Sequence, residues 1–217
     1  MNDLYEAMGS IAAAAHANGD TIDENIRPED NQNVQHGFDI FHRSNYMRIG
    51  KRSDEQRFEI TSPYTFLNVL ERNHSESELA ARANVDLSTL PSEERRQAVQ
   101  SVLEADLKQA EDQYEEFAEA YSQEIEPNDT DLIRITHGED DLWNGFFVRD
   151  HLYPFEESFS IGDYRRAVSK VRKIRIQTTK IAHEVVDVLD TAGSEELSEE
   201  PETEPQTDHQ LSSPGFQ

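Results

Sequence analysis

The chain has 217 residues, with 45 Asp and Glu against 20 Lys and Arg, a formal net charge of −25 and no cysteine. The missing cysteines exclude disulfides, thiolate metal ligation and cysteine nucleophiles. The carboxylate excess suits a protein that folds in concentrated salt, where counterions screen self-repulsion, and points to the cytoplasm of a halophile, in the manner of haloarchaeal acidic proteins.

High charge and only 35% hydrophobic residues also satisfy part of the signature of disorder. One Trp, seven Tyr and ten Phe argue against it, because they fall mostly within patterned segments. Only Gly193–Gln217, rich in Glu and Pro and without periodicity, reads as a disordered acidic tail. The apolar run Ile11–Ala15 is short, and the first basic residue is Arg27, so the cationic region of a signal peptide is missing. No stretch approaches the length of a bilayer span, and no membrane partner is expected.

Taken in chain order, Leu4, Met8, Ile11 and Ala15 predict a helix over 3–17 that stops at Asn18-Gly19. The polar run Asp20–Gln35 reads as a linker, so residues 1–37 form an N-terminal helix and linker. Strand character begins at Phe38, Ile40 and His42 and continues through Tyr46–Ile49. A turn over Gly50–Asp54 leads to alternation at Arg57–Ile60, a hairpin. Pro63 reads as the start of a short helix carrying Phe66, Leu67 and Leu70.

A helical insertion over 73–126 comes next. Ser75 and Glu78 make a capping box. Ser92 reads as the cap of one long helix, with Glu93 and Glu94 in its first turn. Val99, Leu103, Leu107, Ala110, Tyr114, Phe117, Tyr121 and Ile125 form a narrow stripe that either closes the core or makes a dimer seam. Further strands are expected at Ile133–Ile135, Trp143–Val148 and Phe159–Ile161. A last helix places Tyr164, Val168, Val171, Ile174, Thr178, Ile181, Val185 and Leu189 on one side. The fold class is therefore α+β: an antiparallel β-sheet packed by helices, a helical insertion and a long C-terminal helix, with the domain proper over 38–192.

The sharpest charge anomaly is on that last helix. Arg165, Arg166, Lys170, Arg172, Lys173, Arg175 and Lys180 occur between Asp163 and Glu184 with no acid among them. Most lie opposite the apolar stripe. The first five are the candidate partner-binding residues, set against the plainer reading of a solvated face paired with acidic neighbours. Leu79–Leu90 resembles a helix-turn-helix with Asn84 at the turn. Pro91 interrupts its second helix, and Glu93 and Glu94 carry the wrong sign for phosphates.

No catalytic residues, metal ligands or cofactor are expected. The His pair His36/His42 lies around a strand, and His137–Asp141 reads as a turn between strands rather than a calcium loop. No phosphate-binding glycine loop occurs, and proximity of two carboxylates means little in so acidic a chain.

Tyr46–Ile49, Arg57–Phe66, Leu132–Ile135, Trp143–Val148 and Phe159–Ile161 running into Tyr164–Leu189 give an element order that resembles the YbjN and type III secretion chaperone-like family over residues 38–190. The resemblance rests on element order and apolar pattern. The insertion Asn73–Ile125 departs from the compact family pattern. The resemblance implies a non-catalytic adaptor or chaperone-like protein with a protein partner, often also a second copy of itself. The alternative from another class is a DNA-binding regulator using Leu79–Leu90 or the basic last helix, with nucleic acid as partner.

Overall fold

The computed structural model describes residues 2–23, 34–42, 45–52, 56–86, 90–125 and 130–190. The expected tail 193–217 lies outside them. Asn2–Asn18 forms helix α1, ended by Gly19 at φ +82, a left-handed conformation suited to glycine. Strands β1 (Thr21–Asp23), β2 (Val34–His42), β3 (Asn45–Arg52) and β4 (Phe58–Thr65) follow. The insertion consists of α2 (Phe66–Asn73), α3 (Glu76–Ala83), α4 (Ser92–Asp112) and α5 (Tyr114–Glu124). Then come β5 (Asp131–His137), β6 (Leu142–Leu152), α6 (Ile161–Val185) and α7 (Asp187–Asp190).

The six strands form one antiparallel sheet in the order β1-β2-β3-β4-β6-β5. Alternate residues point to opposite sides of a strand. Phe38 and Ile40, Met47 and Ile49, Phe58 and Ile60, and Phe146 and Val148 are all buried beneath the helices. Helix α6 lies over the neighbouring strands β4 and β6, burying Tyr164, Val168, Val171, Ile174, Thr178 and Ile181. α1 packs beside it through Ala7, Ile11, Ala14 and Ala15, so the N-terminal helix belongs to the common core. Trp143 is fully buried, with the rings of Phe66, Phe117 and Tyr114 at centroid distances of 4.7, 4.7 and 5.0 Å. Gly145, at φ +114, allows β6 to approach β4, since a Cβ there would meet the Tyr64 carbonyl oxygen. Its own carbonyl accepts from Trp143 Nε1 at 2.7 Å.

Several expectations change. The segment 20–35 is not all linker, since β1 lies within it and β2 starts at Val34. The apolar run 38–49 folds back on itself, with His42 paired to Asn45, so two hairpins replace one. Pro63 lies in strand β4 and does not open a helix. The register pairs between β3 and β4 end at Arg48–Thr61, so no ladder bond is asked of Pro63 on that side. The single helix expected over 92–126 divides at Gln113, whose Oε1 accepts from the Asp187 backbone N–H at 3.1 Å. The break turns Tyr114 and Phe117 onto Trp143, and Leu103, Leu107, Ala110 and Phe117 close the core. Pro91, not Ser92, takes the cap position of α4. Phe159–Ile161 is not a strand: Ser160 accepts from the Asp163 N–H, and the Asp163 carboxylate accepts from the Ser160 N–H, a capping box that starts α6 at Ile161.

The Ser75–Glu78 capping box forms at the start of α3. Asn84 takes φ +54 at its end, where the N–H groups of Asn84 and Val85 bond back to Ala81 and Ala80.

Val171 has no exposed surface and sits mid-way along α6. Val171→Asp is expected to cost about 3 kcal/mol or more, since it places an unpaired charge under the helix. Thermal melting in molar KCl checks this, and an unchanged midpoint contradicts the docking of α6 on the sheet.

Candidate partner-binding site

A helix laid on a sheet spends its apolar stripe inward, and what remains faces water. On α6 the exposed residues include Arg165, Arg166, Ser169, Lys173 and Gln177, with Glu184 the first acid after Asp163. Lys170, Arg172, Arg175 and Lys180 are half-buried along its flanks. The five candidate residues thus share one helix but not one role.

Arg165 is tied to the end of α1. Its Nε donates to Asn18 Oδ1 at 2.9 Å and its Nη2 to the Ala17 carbonyl at 3.3 Å, which covers an open helix C-terminus. Arg166 pairs with Asp163 one turn back at 3.4 Å, an exposed contact worth little in salt. Hydrogen bonds from Ser160, side chain first, hold the Asp163 carboxyl below the usual range, with Arg166 adding to them. Lys170 reaches Asp150 on β6 at 3.6 Å. Arg172 has its Nε buried with no acceptor. Lys173 projects into solvent.

Arg166 and Lys170 meet over an open cleft of about 330 Å³ between α6, the end of β6 and the connection 153–160. Its walls also include Asp150, Glu156, Asp163 and the aromatic side chains of Tyr153 and Phe159. Three carboxylates against two cations make this a poor pocket for a small anion. The outward stripe from Arg166 to Gln177 lacks that drawback, since its own residues include no acid.

Sequence reasoning missed a buried polar knot where α6 begins. The Asp20 carboxylate, its side chain 1% exposed, accepts from Tyr164 Oη at 2.6 Å, His42 Nδ1 at 2.5 Å and Asn18 Nδ2 at 3.1 Å. These donors compensate the desolvation of Asp20 and join α1, β1, β2 and α6. They are separated by up to 144 positions, so no local pattern announces them. At the far end of α6, Tyr64 Oη lies 2.6 Å from His183 Nε2, and His183 Nδ1 lies 3.1 Å from the Leu189 carbonyl. Because that carbonyl only accepts, Nδ1 carries the proton and Nε2 takes the tyrosine hydroxyl. Arg175 stands over the Tyr64 ring at 5.6 Å.

Of the helix-turn-helix candidate Leu79–Leu90, residues 87–89 lie outside the described residues. α3 ends at Asn84 and the next described helix starts only at Ser92, with Glu93 and Glu94 exposed in its first turn. Arg82 instead makes a two-pronged pair with Asp106 of α4, which is 4% exposed. Among the described residues no group of three or more His, Asp or Glu is placed to hold a metal ion, and no helix is long and apolar enough to cross a membrane.

Fold and surface together define an α+β protein whose sheet is helix-covered on one side and whose central helix presents cations outward. No family model matches the chain, and no curated protein matches it. The crystal structure of an uncharacterized protein from Methanothermobacter thermautotrophicus is similar at 10% identity, over 83% of this chain and 99% of that one, with a TM-score of 0.49. A likeness at that level carries no argument here.

Burial, followed by the hydrogen bond to Asp20, raises the Tyr164 pKa well above the ordinary tyrosine value. The neutral phenol is the form favoured by folding. Its contribution is therefore fully present below about pH 10, the unfolded value, and is lost as pH rises beyond it. Tyr164→Phe is expected to cost about 1–3 kcal/mol at neutral pH, because Asp20 loses a donor. It should also flatten the loss of stability above pH 10. Denaturant melts at pH 8 and pH 11 check both parts, and parallel pH slopes for variant and wild type contradict the assignment.

Proposed function

We propose that this chain is a non-catalytic protein-binding adaptor, chaperone-like in manner, from the cytoplasm of a halophile, and that it docks an acidic polypeptide on the outward face of α6. The observation that carries this reading is that face: exposed Arg166 and Lys173, with Ser169 between them, Gln177 one turn beyond and no acid before Glu184, on a chain of net charge −25. Carboxylate excess elsewhere keeps the protein soluble in brine. A cationic stripe adds nothing to that end and fits the carboxylates of a partner. Screening in concentrated salt removes long-range attraction, so the contact depends on short charge-assisted hydrogen bonds from guanidinium and ammonium groups. Element order supports the chaperone-like part of the reading. An initial helix, a run of antiparallel strands, a helical excursion, two more strands and a long helix follow the succession on which the resemblance to YbjN-like proteins rests.

Arg166 and Lys173 are exposed, so Arg166→Glu with Lys173→Glu should leave the melting midpoint nearly unchanged. Capture from native high-salt lysate is the test, with half of each sample treated with nuclease. A protein retained by the wild type through nuclease treatment and reduced about tenfold or more by the double variant supports the adaptor. Equal recovery by both proteins removes α6 as the docking face. Recovery that vanishes with nuclease transfers the stripe to nucleic acid.

A further inference from the structure

The sheet face turned away from the helices carries an ordered pattern that solvent exposure does not explain. One row of it is apolar. Phe41 pairs with Tyr46 across β2 and β3, Pro63 with Phe147 across β4 and β6, and Phe147 with Ile133 across β6 and β5. Phe41 is 43% exposed, and its ring stands 5.7 Å from that of Tyr46. The other members of the row are half-buried.

The next row is charged, with two Arg set among the carboxylates Asp23, Asp39, Asp131 and Glu59. Arg48 pairs with Asp39 at 3.0 Å, and Arg149 bridges Asp131 at 2.6 Å and Glu59 at 3.0 Å. Tyr46 Oη also donates to Asp39 at 2.9 Å. A chain with more than two acids per base leaves many carboxylates unmatched. Asp39, Asp131 and Glu59 each have a guanidinium, and an aromatic row lies beside them. Paired charges next to an apolar row are the anatomy of an interface, with an apolar centre and a polar rim.

The geometry points to a second copy of this chain as the occupant. Five strands of 7 to 11 residues and the three-residue β1, about 4.8 Å apart, present a face of roughly 600 Å², at the lower end of what a stable pair buries per partner. The face is also self-complementary. A twofold axis along the apolar row lays that row on itself and carries the two charged rows to opposite margins, so Arg does not meet Arg. The guanidinium pairs on Asp39, Asp131 and Glu59 reduce, without cancelling, the repulsion that a chain of −25 meets in approaching its own copy. We therefore propose that the open sheet face is the seam of a homodimer that tightens as salt screens the remaining carboxylates. The proposal is independent of the docking face on α6, and its salt response has the opposite sign to that of an acidic partner on a cationic helix.

Light scattering of the full chain in 0.5 M and 3 M KCl reads the mass directly. The wild type is expected at twice 24.9 kDa, with the dimer persisting to lower concentration in 3 M KCl. Phe41→Glu with Phe147→Glu is expected at 24.9 kDa, and Lys173→Glu at the wild-type mass. A wild-type monomer in both salts overturns the proposal, and so does a dimer that survives the Phe41 and Phe147 changes. If the double variant does not fold, single cysteines decide, because the chain has none of its own. A short bismaleimide should link Phe41→Cys chains in pairs and leave Gln177→Cys chains single. The reverse pattern overturns the proposal.

Discussion

Everything in this fold depends on the placement of α6 across β4 and β6. An antiparallel sheet with one apolar face is not stable bare, and the covering element must bring a stripe of matching length. α6 supplies about 37 Å of helix with its buried residues from Tyr164 to Ala182 on one side. Its position along the sheet is fixed at both ends by polar contacts, Tyr164 to Asp20 at the start and His183 to Tyr64 near the finish. α1 then packs along one side of it, and α5 contacts it as part of the helical layer. The outward cations are what remains once that inner stripe is committed.

The acidic composition stops at the core. Where carboxylates are buried, each has a specific answer: Asp106 has Arg82, Glu59 has Arg149, and Asp20 has three donors from separate parts of the chain. Buried pairs of this kind add little net stability over apolar replacements, but removing one partner is costly. The same economy appears on Glu111, which accepts from Arg134 at 2.6 Å and from the Trp143 N–H at 2.7 Å, fastening α4 to the β5–β6 hairpin. The unmatched acids lie outside these contacts, where salt screens them.

Elements with strong local signals were legible in the sequence. α1 and α6 show in their apolar spacing, the start of α3 in Ser75 and Glu78, and its end in Asn84. The helical insertion and the antiparallel class follow from the same patterns. The errors lie where tertiary contacts outvote local pattern. In Phe38–Ile49 only the polar Arg43-Ser44-Asn45 marks the reversal between His42 and Asn45, and apolar alternation continues on both sides of it. The stripe from Val99 to Ile125 has an unbroken helical period, yet Gln113 breaks it to bring two rings against Trp143. Phe159 and Ile161 alternate like a strand, but Ser160 and Asp163 between and after them make a capping box. The charge run on α6 was visible. That Arg165 serves α1, and that Lys170 reaches Asp150, depends on neighbours more than a dozen residues away.

Amide hydrogen exchange in molar KCl tests the central place of α6 most directly. If α6 holds the sheet, the slowest amides lie together in Val168–Thr178, Ile60–Ser62 and Phe146–Val148, exchanging at one common rate set by global unfolding, while α3 opens faster. Exchange of α6 at the rate of α3, with β4 and β6 still protected, would contradict the account, since the sheet would then stand without its covering helix.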